Sequence, residues 1–330
     1  MCLYPKLIRN PKYRPNKKNN YNPPEPKDPR VKWVPVGCGK CMECRKQKAN
    51  HWRIRLLEEI RTNKGIVVSL TFNTKTLTKY NRLVPKYKTD KKGNKHIIDG
   101  YDRENEICKI AVRRFLERWR NHNGKSVKHW FVTELGGGRY EHIHLHGFVF
   151  TDNPQEIEKR WGDHGFTWIG DYCNDQSVSY FIKYFSKQDH KHETYLPKIF
   201  CSAGIGSNFM NRKDWKKNIY DPYGETNELY TSRSGSKMGL PIYFRNKIYS
   251  EEERECLWID KMDKMVRYVD GHKIDVSTNA GWKEYYAVLE DARRKNARLG
   301  YGDDSANWEL EEYERDRRNL LFNNRINNIV

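Results

Sequence analysis

Tyr140-Glu141-His142-Ile143-His144-Leu145-His146-Gly147-Phe148-Val149-Phe150 reads as a β-strand over 140–150 with histidines at three alternate positions. Successive side chains of a strand point to opposite faces. His142, His144 and His146 therefore share one face, while Ile143 and Leu145, with Phe148 expected beside them, anchor the other. Imidazoles on one side and an apolar anchor on the other is what a metal-binding strand needs. A solvated histidine face on an edge strand would give the same letters, so the flanking segments must discriminate.

Immediately upstream, Val127 to Leu135 forms a second strand, closed by Gly136-Gly137-Gly138. So short a connection predicts an antiparallel hairpin. Across it, Glu134 can reach the imidazoles of His144 and His146, although an ordinary turn carboxylate would occupy the same place. Two histidines, a carboxylate and open positions suit a divalent ion that also holds a phosphate oxygen. Mixed N/O ligation fits Mn²⁺ or Mg²⁺, and imidazoles also admit zinc.

Further out, Ala49 to Thr62 and Glu104 to Arg120 carry helical apolar spacing. Ile66-Val67-Val68-Ser69-Leu70-Thr71-Phe72 is a β-branched run that predicts a buried strand. Residues 73–103 read as a loop. Downstream, Asn153-Pro154 opens a short helix to Trp161, Phe166 to Ile169 is a strand, and Asp175 to Lys187 a helix. This order predicts an α+β fold: a central antiparallel sheet with helices packed on one face.

That last helix carries the chemistry. Tyr180 and Tyr184 lie one turn apart, with Lys183 and Lys187 each three residues after a tyrosine. A phenol, with a free pKa near 10, is a poor nucleophile. A nearby cation favours its phenolate, and a metal polarising the phosphorus centre assists attack. Attack on a DNA phosphodiester would leave a phosphotyrosine and a 3′-hydroxyl, and two tyrosines permit two consecutive transfers. Tyrosines in the packing seam of a surface helix are the alternative.

The chain has 62 Lys and Arg against 43 Asp and Glu, a formal charge of +19, which suits a polyanion: nucleic acid first, an anionic membrane second. No run approaches the roughly 18 apolar residues of a membrane span, and Met1-Cys2-Leu3-Tyr4-Pro5 does not open a signal peptide. A non-membrane, cytosolic protein with reduced thiols is expected. Cys38, Cys41 and Cys44 cluster at metal-ligand spacing around Gly39. Cys2, His51 or a distant residue could complete a structural zinc site, and a buried thiol cluster is the other reading. Three regions are expected: an extended basic arm over 1–35, a core over 36–198 that includes the cysteine cluster, and a loop-rich, then helical C-terminal extension over 199–330.

The motifs resemble those of HUH endonucleases, and within them the replication initiators of microvirus-type (gokushovirus-like) single-stranded DNA phages. His144-Leu145-His146 is similar to the histidine–hydrophobic–histidine element, and Tyr180, Lys183, Tyr184 and Lys187 to the paired-tyrosine element. Val67 to Phe72 resembles the first motif; Gly37 to Arg45 with Trp52 and Arg55, and Ile199 to Met210, are similar to the gokushovirus-like branch. The resemblance implies an RRM- or palm-like sheet, a metal held by His144 and His146, alternating nucleophiles Tyr180 and Tyr184, and assistance from Lys183 or Lys187. The third ligand is left open between Glu134 and His142. Implied partners are single-stranded and supercoiled phage origin DNA, a host helicase and a single-strand binding protein, in the host bacterial cytoplasm. No GxxxxGK[ST] motif is present, so strand separation would need that separate helicase. A transposase or relaxase of the same superfamily, or a non-enzymatic zinc-knuckle DNA-binding or packaging protein, are the alternatives.

Overall fold

The structure is a computed structural model that describes residues 1–90, 93–138, 141–186, 188–305 and 308–327. The chain forms two compact units. One comprises Met1–Ile54 and Phe209–Ser305, the other Arg55–Asn208 and Ala306–Val330. These divisions fall at other points than the expected boundaries near 35 and 198.

The second unit is built on a five-stranded antiparallel sheet. Its strands are β1 (Ile66–Leu70), β2 (Lys128–Leu135), β3 (Ile143–Phe150), β4 (Thr167–Tyr172) and β5 (Ile199–Cys201), in the spatial order β4-β1-β3-β2-β5. The histidine strand β3 is thus the middle strand, not an edge, and it begins at Ile143. Tyr140, where the expected strand began, lies outside the described residues. Gly147 is required where β3 passes β2: a Cβ there would stand 1.9 Å from the Trp130 carbonyl oxygen.

The helices of this unit are α1 (Thr74–Asn81), α2 (Gly100–Asn123), α3 (Gln155–Trp161), α4 (Asp175–Ser186) and α5 (Trp308–Asn327). On α2, Ile107, Ala111, Phe115 and Trp119 recur at helical spacing and are buried together with Val68, Leu70, Phe131, Ile143 and Leu145. The helix ends at Gly124, whose left-handed φ of 71° lets its N–H reach the Arg120 carbonyl.

Both sheet faces are covered, which corrects the expectation of helices on one face. α2 packs on the Leu145 side, while Phe181 of α4 meets Phe148 edge-on at 5.1 Å on the histidine side. Phe148 was expected with the apolar anchors. It shares the parity of the histidines, and its ring stacks against Trp130 on their face. The stretch read as a loop contains α1 and a hairpin of Tyr87–Thr89 with Lys95–Ile97. Within the region read as a C-terminal extension, β5 pairs with β2 and α5 packs back on this unit through buried Phe322.

In the first unit, Lys6–Arg9 pairs antiparallel with Trp33–Val36 within the expected arm. A helix over Met42–Glu59, in which the division between the units falls, follows the cysteine turn. One small core gathers Leu3, Cys41, Val269, Leu289 and Ala292; another gathers Ile54, Phe209, Tyr230, Leu240 and Phe244.

Candidate active site

Strand register assembles the site. Glu134 on β2 lies directly opposite His144 on β3, and Ser69 on β1 directly opposite His146. Directly opposed residues share a face, so the carboxylate, the hydroxyl and both imidazoles emerge together. One oxygen of Glu134 stands 3.1 Å from His144 Nε2 and 2.7 Å from His146 Nε2. Glu134, His144 and His146 form one of the two groups of potential metal ligands among the described residues.

The other ring nitrogens are held from behind. His144 Nδ1 lies 3.2 Å from the His142 carbonyl, and His146 Nδ1 lies 2.7 Å from Ser69 Oγ. With both Nδ1 atoms protonated and donating, both Nε2 atoms present lone pairs to one point beside the carboxylate. Burial opposes the charge of Glu134, but hydrogen bonds from His144 and His146 prevail and hold its carboxyl down to about 2. The group is therefore an anion at any working pH, as a hard-cation ligand must be.

His142 is not in this group. It precedes the strand, and its carbonyl accepts hydrogen bonds from the Gly136 N–H and from His144. The geometry thus brings together Glu134, and not His142, with the two alternating histidines.

Helix α4 carries the tyrosines across this face. It starts at Asn174, whose side chain accepts from the N–H groups of Gln176 and Ser177, while Ser177 Oγ accepts from the Asn174 N–H. Val178, Phe181 and Ile182 are buried at i, i+3 and i+4. The Tyr184 ring lies parallel to the His146 ring, 5.3 Å away with 2° between the planes. Its hydroxyl donates to Tyr180 Oη at 3.3 Å, and the Tyr180 side chain, 55% exposed, turns towards solvent. Burial, the Tyr180 hydroxyl and the Glu134 carboxylate all push the Tyr184 pKa up, so its resting form is the neutral phenol. Lys183 is exposed on the same helix. Lys187 lies outside the described residues.

The second group of potential metal ligands is Cys2, Cys38, Cys41 and Cys44. Among the candidates for the fourth place it is Cys2, rather than His51, that the fold brings to the other three. Two features escaped sequence reasoning. Ser69 stood inside a recognised motif, but its role depends on which strand residue it faces. Glu141 is buried beside the metal strand at a left-handed φ of 46° and pairs with Arg317, Arg318 and His192. No local pattern signals a partner so distant in the chain.

Residues 69–189 of the 330 match a family model of replication-associated proteins, of the ORF2 and gene-2-protein type. No curated protein and no solved structure matches the chain. The matched segment runs from Ser69 through Glu134, His144 and His146 to both tyrosines. Over the part that builds this site, then, the chain is similar to replication-associated proteins, and its Glu/His cluster is of the kind a nuclease-type active site uses.

Proposed function

We propose that the chain is a rolling-circle replication initiator: a metal-dependent enzyme that nicks single-stranded DNA at a specific origin and later rejoins the strand. The stacking of Tyr184 on His146 carries this reading. It holds a phenol against the face where Glu134, His144 and His146 gather, as an enzyme that brings nucleophile and metal to one phosphate requires.

Glu134, His144 and His146 would hold a divalent ion, Mn²⁺ or Mg²⁺ by its mixed N/O donors. When bound, the ion would polarise a phosphodiester and offset its charge. The phenol of Tyr184 or Tyr180 loses its proton and attacks phosphorus. The bond to the 3′ oxygen breaks, and that oxygen gains a proton. The products are a 5′-phosphotyrosine and a free 3′-hydroxyl, so the step is a transesterification without net hydrolysis and can be reversed. The hydroxyl contact at 3.3 Å places the second tyrosine within one side chain of the first. It would cut the regenerated junction while the first still holds the old end. Lys183 and Lys187 would serve the phosphate or the leaving oxygen.

The proposed substrate is the origin of a microvirus-type phage, in single-stranded or supercoiled form, in the host bacterial cytoplasm. A host helicase and single-strand binding protein would complete the reaction. The test mixes the protein with Mn²⁺ and origin single strands and looks for a covalent adduct on a denaturing gel. The adduct should survive either single replacement, Tyr180→Phe or Tyr184→Phe, at reduced yield, and vanish in the double variant or in chelator. An adduct that persists in the double variant would exclude the proposal.

A further inference from the structure

We infer that Cys2, Cys38, Cys41 and Cys44 hold a structural zinc ion that ties the N-terminal segment to the turn before the helix over Met42–Glu59. The reading stands apart from the nicking chemistry, because it rests on other residues in the other compact unit.

The sulfur spacings carry it. Zinc–thiolate bonds of about 2.3 Å in a regular tetrahedron require sulfurs about 3.8 Å apart. Cys2 and Cys38 Sγ are 3.6 Å apart, Cys2 and Cys41 3.9 Å, and Cys38 and Cys44 4.0 Å. A disulfide would need about 2.05 Å between sulfurs, and all four cysteines are free thiols. Four thiols at van der Waals separation, arranged around a centre with no group of their own in it, is the ligand cage of a closed structural site.

The surroundings are those of thiolates. The N–H groups of Tyr4 and Cys38 point at Cys2 Sγ at 3.3 and 3.2 Å, and the N–H of Cys41 at Cys38 Sγ at 3.3 Å. Backbone donors of this kind spread the charge of a thiolate–metal centre and fix its ligands. The helix over Met42–Glu59 begins between Cys41 and Cys44, so its positive end faces the sulfurs. Lys40, Arg45, Lys46 and Lys48 add cationic charge along the same turn.

The fold also shows what the ion would do. Around the cage only Leu3, Cys41, Val269, Leu289 and Ala292 are buried as a hydrophobic cluster. So small a core gains its folding energy from the ion, as small metal-bound domains do. Cys2 and Cys38 bracket the segment that contains the pairing of Lys6–Arg9 with Trp33–Val36. One zinc would close that whole excursion at its base.

Cobalt separates this centre from the Glu/His site, because only thiolates give intense sulfur-to-cobalt charge-transfer absorption in the near ultraviolet. The full-length protein, purified without chelator, should contain zinc by mass spectrometry. After exchange with Co²⁺ it should show the charge-transfer band together with the visible bands of a tetrahedral ion. Cys2→Ser should lower the band by about a quarter and speed zinc loss to a chelator at least tenfold. Cys2→His, which keeps a ligand at that place, should restore retention while leaving the band low. Cys256→Ser, at an exposed cysteine, should change nothing. A cobalt protein without the charge-transfer band, or a band that Cys2→Ser and Cys2→His leave at full height, would overturn the assignment. Loss of the covalent DNA adduct with the band intact would instead count against the nicking proposal alone.

Discussion

Ser69 shows how one hydroxyl can matter to a centre it does not touch. At 2.7 Å from His146 Nδ1, it takes that nitrogen's proton in a hydrogen bond and leaves Nε2 free to face Glu134. Removing such a partner of a metal-binding histidine costs roughly 10–100-fold in metal affinity. Ser69→Ala should therefore weaken Mn²⁺ binding by about that factor in calorimetry, while Ser69→Thr keeps it. Glu134 makes a second prediction. Its folded pKa, about 2, lies below the ordinary carboxylate value near 4.3. A depressed pKa stabilises the fold above the unfolded value, and the contribution is lost as pH falls through the folded one. The melting-temperature gap between the metal-free protein and Glu134→Gln should thus be full above about pH 4.5 and shrink towards pH 2. A gap that stays constant through that window would show that the two imidazoles do not hold the carboxylate.

At the scale of elements, α4 is a lever that positions two tyrosines from an apolar seat. The Phe181 ring meets Phe148 at 5.1 Å, His146 at 5.8 Å and Tyr184 at 6.2 Å, so it sits under both the metal strand and the nucleophile. Phe181→Ala should cost about 3–5 kcal/mol in urea unfolding. It should also lower adduct yield more than binding of the single strand, because the seat orients the tyrosine rather than the DNA. How much of this was legible in the sequence follows from the range of each signal. The alternation in β3 and the i,i+4 spacing of Tyr180 and Tyr184 are local, and both fell where the letters put them. The hairpin register that sets Glu134 opposite His144 is nearly local, since a glycine turn joins the strands. The middle position of β3, its pairing with β1 and the three-residue edge strand β5 are products of long-range pairing, which no window of sequence contains. Phe148 was misplaced although strict parity would have put it right: its apolar character suggested the buried anchor, and it is the apolar cover of α4 that makes the histidine face hospitable to it.

For the molecule as a whole, the least legible feature is that the chain's C-terminal helix belongs with the sheet rather than with the segment before it. Helix α5 is highly charged, and nothing in its pattern announces a buried face. Its docking is ionic. Arg318, 1% exposed, donates to Glu104 at 2.6 Å and to Glu141 at 2.9 Å and bonds the Glu141 carbonyl, while Arg317 adds 2.6 Å to Glu141. Glu141 also takes His192 at 2.9 Å and Lys191 at 2.5 Å. These contacts lock the backbone just before Ile143, where the metal strand begins. Burying such charges is costly, and the cost is recovered only while every partner is present. Arg318→Ala would leave two buried carboxylates short of their main partner and should destabilise this unit by about 3–5 kcal/mol. Arg318→Met together with Glu104→Gln removes charge of both signs and should recover much of that loss, as uncharged replacements of buried ion pairs often do. If α5 only covers surface, the single and double variants will unfold at the same urea concentration as the parent. If it clamps the strand, the single variant will also lose Mn²⁺ affinity, although no atom of Arg318 belongs to the Glu134, His144 and His146 group.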